Sequence, residues 1–249
     1  MNEINFLKTN SDKFLLNTIN EDDGLELLRS LQDNSVQLVI FDPQYEKVKK
    51  VTMIHRSASD YTQYHEYPLI EQSDQQIEEF CQQIQRVLKP NAFLLFWINK
   101  SILLANTWSK WLPINLKVKE VLIWDKNWLG LGWWPFRNQV EYCLFIQKSP
   151  YQIKSNHKIK GIGNVWKHCI GLVNRQHVHL KPYEMIRDLI NQLTQEGDLV
   201  VDPCAGSFVS LSACQKLQRN FLGTDLTFRQ LMQFNINKKR SRELLKQIK

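Results

Sequence analysis

An acid, a proline, an amide and a tyrosine follow a wholly apolar run in Val39-Ile40-Phe41-Asp42-Pro43-Gln44-Tyr45. A carboxylate at a strand end, beside a carbonyl fixed by proline, can accept the N–H bonds of a planar amino group. That favours the more tetrahedral, nucleophilic form of a nitrogen whose lone pair is otherwise delocalised. A neighbouring tyrosine can stack on the ring that carries the amino group. On the string Asp-Pro alone, a turn-capping acid would be the commoner explanation of Asp42. Tyr45 alone would more often be a half-buried aromatic.

A second constellation is Leu199-Val200-Val201-Asp202-Pro203-Cys204-Ala205-Gly206-Ser207-Phe208, an apolar run, a small-residue turn and a helix start. Small residues let a ligand approach the backbone, and a helix start supplies N–H donors. Asp225 ends the next apolar run about twenty residues after the turn, a spacing suited to hydrogen bonds with two ribose hydroxyls. By itself such an acid often only caps a helix. His177, His179, Lys181 and Pro182 precede another helical stretch. No nearby acid or cysteine completes a ligand set for the two histidines, so no metal is expected.

These residues need a scaffold that gathers strand ends. Apolar runs at residues 14–18, 36–41, 92–97, 118–124, 140–147, 199–201 and 220–223 predict seven strands, that at 140–147 antiparallel. Helical spacing at 24–31, 75–88, 102–111, 182–195 and 208–217, and a long final helix, alternate with them. The pattern predicts an α/β fold, a mostly parallel sheet with helices on both faces, in one domain over residues 1–249. Acids ending several strands then share one crevice at the carboxyl edge. Residues 45–73 and 149–176 are the aperiodic segments, rich in basic and aromatic residues, and are expected to be a mobile active-site loop and a short target-recognition insert.

The 249 residues are 43% hydrophobic and 23% charged, enough to bury one core and unlike a disordered chain. A net charge of +7 favours a polyanionic partner, with Lys47, Lys49 and Lys50 beside the proposed site. Five cysteines without a close CxxC pair indicate neither a disulfide framework nor a zinc site, which fits a reducing cytoplasm. No run reaches the ~18 apolar residues of a membrane span, so no membrane association is expected.

The string Asp42-Pro43-Gln44-Tyr45 resembles the Asp-Pro-Pro-Tyr signature of amino-directed DNA methyltransferases, with Gln44 in place of the second proline. Asp202 to Phe208 resembles the Asp-Pro-Phe-x-Gly-Ser-Gly cofactor motif of those enzymes, departing at Cys204 and Phe208. His177 to Pro182 is similar to their His-Pro-x-x-Lys-Pro segment, matching at Lys181 and Pro182. Asn20 to Leu28 is similar to their Gly-Asp-Cys segment, with Asp23 at the acid, although an N-cap with Glu26 in a capping box explains the same letters. Arg86 to Pro90, Trp124 to Lys126 and Arg137 to Tyr142 look like intermediate segments. The likeness spans residues 18–225 with the catalytic motif first, the order of the permuted beta group.

The resemblance implies S-adenosylmethionine as cofactor, held by Asp23, Lys181, Asp202, Cys204, Gly206, Ser207, Phe208 and Asp225, with Phe208 supplying the ring that Cys204 lacks. It implies double-stranded DNA as substrate, with Asp42 and the Pro43 carbonyl accepting the amino hydrogens and Tyr45 stacking on a flipped base. A homodimer and a cognate restriction enzyme are further implied partners. The leading aspartate directs the reading to adenine N6, since cytosine-N4 relatives more often resemble Ser-Pro-Pro-Tyr. The alternatives are cytosine N4, an impaired DNA-binding protein of the same fold, as Gln44, Cys204 and Phe208 suggest, and methylation of RNA or a protein glutamine.

Overall fold

The computed structural model describes residues 13–45, 71–127, 135–151, 161–168 and 181–228. Buried apolar strands alternate with amphipathic helices. Strand β1 (Val36–Phe41) is followed by helix α2 (Asp74–Val87) and β2 (Leu88–Ile98). Helix α1 (Gly24–Ser30) precedes them, with Asp23 as its N-cap. The short helices α3 (Lys100–Ala105) and α4 (Trp108–Trp111) lead into β3 (Leu116–Asp125), β4 (Val140–Lys148) and β5 (Val165–Lys167). Then come α5 (Tyr183–Leu193), β6 (Leu199–Asp202), α6 (Val209–Leu217) and β7 (Asn220–Gly223).

The strands form one sheet in the order β5-β3-β4-β2-β1-β6-β7. Only β4 runs against the rest, pairing antiparallel with both β2 and β3, while every other pairing is parallel. From β1 the chain crosses by α2 to β2 on one side, and β6 and β7 lie on the other. The gap between β1 and β6 is therefore the point where strand order reverses, the place an open α/β sheet offers to a ligand.

Side-chain alternation along β1 divides the core into two layers. Val39 and Phe41 pack with Leu27 and Leu28 of α1 and with Ile77, Phe80 and Ile84 of α2. Leu38 and Ile40 pack with Met185, Ile186 and Leu189 of α5 and with Leu211 and Cys214 of α6. Helix α2 starts at a reciprocal cap: Ser73 Oγ accepts from the Gln76 amide, and Gln76 Oε1 accepts from the Ser73 amide. Both first-turn donors are thereby satisfied at the end of the segment that follows the catalytic motif.

Two expectations are corrected. Residues 14–18 form no strand: Leu15 is 62% exposed, and Asn17 adopts the left-handed φ of 57°. Asn17 instead brackets edge strand β7, its amide donating to the Phe221 carbonyl and its Oδ1 accepting from the Phe221 amide. The seventh strand is β5, inside the stretch 149–176 expected to be aperiodic, in parallel register with residues 123–125 of β3. The helix expected over 102–111 is split by left-handed Asn106 at the end of α3. The final helix, most of 45–73, much of 149–176, and His177 and His179 lie outside the described residues.

Candidate active site

Asp42 leaves the carboxyl end of β1 on the face covered by α5. There Lys181, just ahead of α5, donates to Asp42 Oδ2 at 2.5 Å. The same ammonium lies 3.3 Å from Glu141 Oε2 on β4, and the other Glu141 oxygen, Oε1, is 2.8 Å from Lys126 Nζ. Lys181 also sits over the indole of Trp97 at 4.6 Å from the ring centroid. Four charges of alternating sign thus run along the carboxyl edge. Burial pushes the Lys181 pKa down, but Asp42 and Glu141 outweigh it and hold the ammonium above its usual range. Burial likewise opposes ionisation of Glu141, yet Lys181 and Lys126 bring its carboxyl down from 4.5 to about 2. The stabilisation from Glu141 is therefore present above pH 4.5 and lost as pH falls toward about 2. Lys181, expected at the cofactor, is already engaged by two carboxylates.

Tyr45 turns to the opposite face of the sheet. It is 7% exposed, its ring stacks on Trp111 with centroids 5.8 Å apart, and its hydroxyl donates to the Trp97 carbonyl at 2.5 Å. The ring expected to stack on a flipped base is packed here in the α2 layer. Gln44 is tied down by its carbonyl, which accepts from the Gln72 amide at 2.7 Å. The Gln72 side chain in turn donates to Cys204 Sγ at 3.6 Å, joining the catalytic motif to the turn after β6.

That turn is held from within. Asp202 is 5% exposed, accepting from the Ser210 hydroxyl at 2.6 Å and from the Cys204 amide at 3.4 Å. The Thr224 hydroxyl donates to the Pro203 carbonyl, and the Ala205 amide to the Thr224 carbonyl. Gly206, at φ +51°, donates its amide to Asp225 Oδ2 at 3.1 Å. Asp225 Oδ1 accepts from the amide and hydroxyl of Thr227. Gly24 presses onto this turn so closely that a Cβ there would lie 2.2 Å from the Pro203 carbonyl oxygen. Ser207 lies half-buried at the crevice.

Four of the expected ligand residues make contacts within the fold. Asp23 caps α1, its Oδ1 accepting from the amides of Leu25 and Glu26, while Glu26 pairs with Lys13 rather than completing a capping box. Phe208, expected to flank the cofactor ring, is 3% exposed and edge-on to Phe221 and Phe228. Asp202 spends its carboxylate on the turn itself. Cys204, buried enough that its thiol pKa is pushed well up, receives Gln72. Asp42, Gly206, Ser207 and Asp225 follow the carboxyl ends of the adjacent parallel strands β1, β6 and β7. Sequence reading missed Gln72, which no local signal marks, and assigned no role to Glu141, whose only sign was its place in a weakly similar segment.

Burial raises the Asp202 carboxyl from its ordinary 3.8 to about 7. The folded chain therefore holds this proton after the unfolded chain has released it, and stability contributed by Asp202 is lost as pH rises from 3.8 toward about 7. Asp202→Asn, which can still accept from Ser210, should narrow the difference in urea midpoint between pH 5 and pH 8. An unchanged difference would show that Asp202 does not carry that slope.

An acid on the central strand, beside a small-residue turn on its neighbour, at the reversal point of a seven-stranded sheet with one reversed strand, defines an α/β methyltransferase fold. The family model N6_N4_Mtase, described as DNA methylase, matches residues 36–233, and the chain belongs to that family. It is 34% identical over 215 residues to the type II methyltransferase M.HhaII of Haemophilus parahaemolyticus, covering 86% of this chain and 92% of the relative. Among solved structures, the M1.HpyAVI–SAM complex aligns with a TM-score of 0.59 at 17% identity, covering 88% of this chain and 98% of that one. The PvuII DNA methyltransferase, titled cytosine-N4-specific, aligns with a TM-score of 0.59 at 16% identity, over 88% and 85% of the two chains.

Proposed function

We propose that the chain transfers a methyl group from S-adenosylmethionine to the N6 amino group of adenine in double-stranded DNA. The observation that carries the reading is the position of Asp42, at the end of β1 and across the switch point from the turn after β6. Asp42 Oδ1, the oxygen that Lys181 does not engage, is placed to accept one amino hydrogen, and the Pro43 carbonyl the other. Tyr45, stacked on Trp111 and bonded to Trp97, holds the loop that carries both acceptors. After transfer the surplus proton passes to solvent.

The turn fits the cofactor's ribose. The half-buried Gly206–Ser207 backbone lines the crevice, and a carboxylate has about four acceptor sites, so Asp225 Oδ2 keeps capacity beyond its bond to Gly206. When bound, S-adenosylmethionine supplies an electrophilic methyl group; the chain supplies the orientation. Contacts to DNA are assigned to residues 45–73 and 149–176, with Lys47, Lys49 and Lys50 at the phosphates. A homodimer and a cognate restriction enzyme belong to this reading.

Digesting methylated DNA to nucleosides tests the base: N6-methyladenine is expected, and N4-methylcytosine would replace the first reading by the second. Asp225→Ala should raise the cofactor Kd by roughly ten- to a hundredfold, the loss of about 1.5 to 3 kcal/mol for a bond to a charged group. Wild-type cofactor affinity in calorimetry would leave Asp225 as only a partner of Gly206 and Thr227.

A further inference from the structure

We propose that Glu141 is a positioning residue for methyl transfer, acting on Asp42 through Lys181. The inference rests on the reading of Asp42 as the acceptor of the amino hydrogens. Asp42 stands on a single strand end and is partly exposed, so on its own its carboxylate could rotate and exchange partners with water. Lys181 removes that freedom at 2.5 Å. A lysine is a flexible point charge with rotatable donors, and its own placement must come from elsewhere. The Trp97 ring beneath it and Glu141 at 3.3 Å provide that placement. Glu141 is itself held on its far side by Lys126 at 2.8 Å.

Strand register explains why these groups meet. Phe41 pairs with Phe96 on β2, and Trp97 pairs with Cys143 on β4. Asp42, Trp97 and Cys143 therefore stand in a row, and Glu141 lies two residues from Cys143 on the same face of its strand. The position pairs with Trp124 on β3, next to Asp125 and Lys126. The relay thus crosses four adjacent strands at the carboxyl edge.

Glu141 also sets how much of the Lys181 charge reaches Asp42. With both carboxylates present, one ammonium is shared between them, so its donors are divided and Asp42 does not hold the Lys181 charge alone. Other groups in the electrostatic neighbourhood of Asp42 are Cys143 on β4, Asp202 on β6, Cys204 in its turn and Tyr45 in its own loop. None of these is a cation, so Lys181 is the near positive charge among the described residues.

The test is the pH profile of single-turnover methyl transfer to DNA by the full chain. Glu141→Gln keeps the shape of the side chain but leaves the Lys181 charge to Asp42 alone. Its acid limb should move to lower pH by roughly half a unit, with the plateau rate down roughly tenfold and cofactor and DNA Kd unchanged. Lys126→Met frees Glu141 to draw Lys181 away, and its acid limb should move to higher pH. Limbs that stay in place, or that move in the same direction in both variants, overturn the proposal. Should Glu141→Gln fail to fold by circular dichroism, Lys126→Met decides alone: an upward shift supports the relay and an unmoved limb overturns it. Asp42→Asn separates the two readings. If it transfers methyl groups at the wild-type rate, the assignment of Asp42 fails; if it is inactive while the limbs stay put, only the role of Glu141 fails.

Discussion

Asp42→Ala is expected to leave a folded chain that binds S-adenosylmethionine and transfers almost nothing. Its side chain is at a crevice and not in either core layer, so the thermal melt should stay near that of the wild type. The cofactor contacts assigned to Gly206, Ser207 and Asp225 lie on β6, β7 and their turns, so cofactor affinity should also hold. The loss falls on the barrier, because a preorganised acceptor facing a reacting group is worth about 2.7 to 4 kcal/mol, or roughly a hundred- to a thousandfold in rate. The vacated Lys181 ammonium, left with Glu141 alone, adds to the loss. Single-turnover transfer with labelled cofactor measures it, and a rate within a few-fold of wild type would move the catalytic motif elsewhere.

The second large effect concerns Phe208, and it falls on stability. The residue stands in the left-handed region at φ 56°, where the related motif carries glycine, yet its ring is buried between Phe221 and Phe228. A Cβ in that conformation costs on the order of 1 kcal/mol or more, which the buried ring must offset. Phe208→Ala should lower unfolding free energy by about 3 to 5 kcal/mol, since it removes the ring and keeps the strained Cβ. Phe208→Gly should cost about 1 kcal/mol less than Phe208→Ala, reversing the usual order of the two residues, because glycine adopts positive φ freely. Urea unfolding of the pair decides: an alanine variant more stable than the glycine variant would remove the strain from the account. A loss of cofactor affinity without loss of stability would place the ring at the ligand after all.

Local chemistry made much of this molecule legible. Alternation of apolar runs with helical spacing, and breaks at Pro43 and Pro203, suffice for the α/β class and for all six described strands other than β5, because each depends on residues a few positions apart. The catalytic and cofactor motifs could be placed on neighbouring strands for the same reason: each is a strand end. Residues 14–18 failed because an apolar run cannot report the left-handed Asn17, whose side chain finds its partner two hundred residues away on β7. Strand β5 was hidden because three residues carry too little periodicity to stand out from a polar stretch, and its pairing with β3 supplies the order.

At the site the division is sharper. Residue types alone determine that Asp42 can accept hydrogen bonds and that a small-residue turn can admit a ligand. Only the folded chain decides which side chains are free to do so. Tyr45 and Phe208, read in one dimension as ligand-facing aromatics, are packed in the two core layers, because the depth of a ring depends on what α2, α4 and α6 pack against it. Asp23 and Asp202 have the chemistry of ligand acids but are consumed by the nearest backbone amides and by Ser210, since an unmet donor beside a carboxylate is satisfied locally first. Lys181 and Glu141 show the reverse: 40 residues apart in sequence, they become one charge relay with Asp42 because β1, β2 and β4 are hydrogen-bonded neighbours in register, a relation that no spacing along the chain encodes.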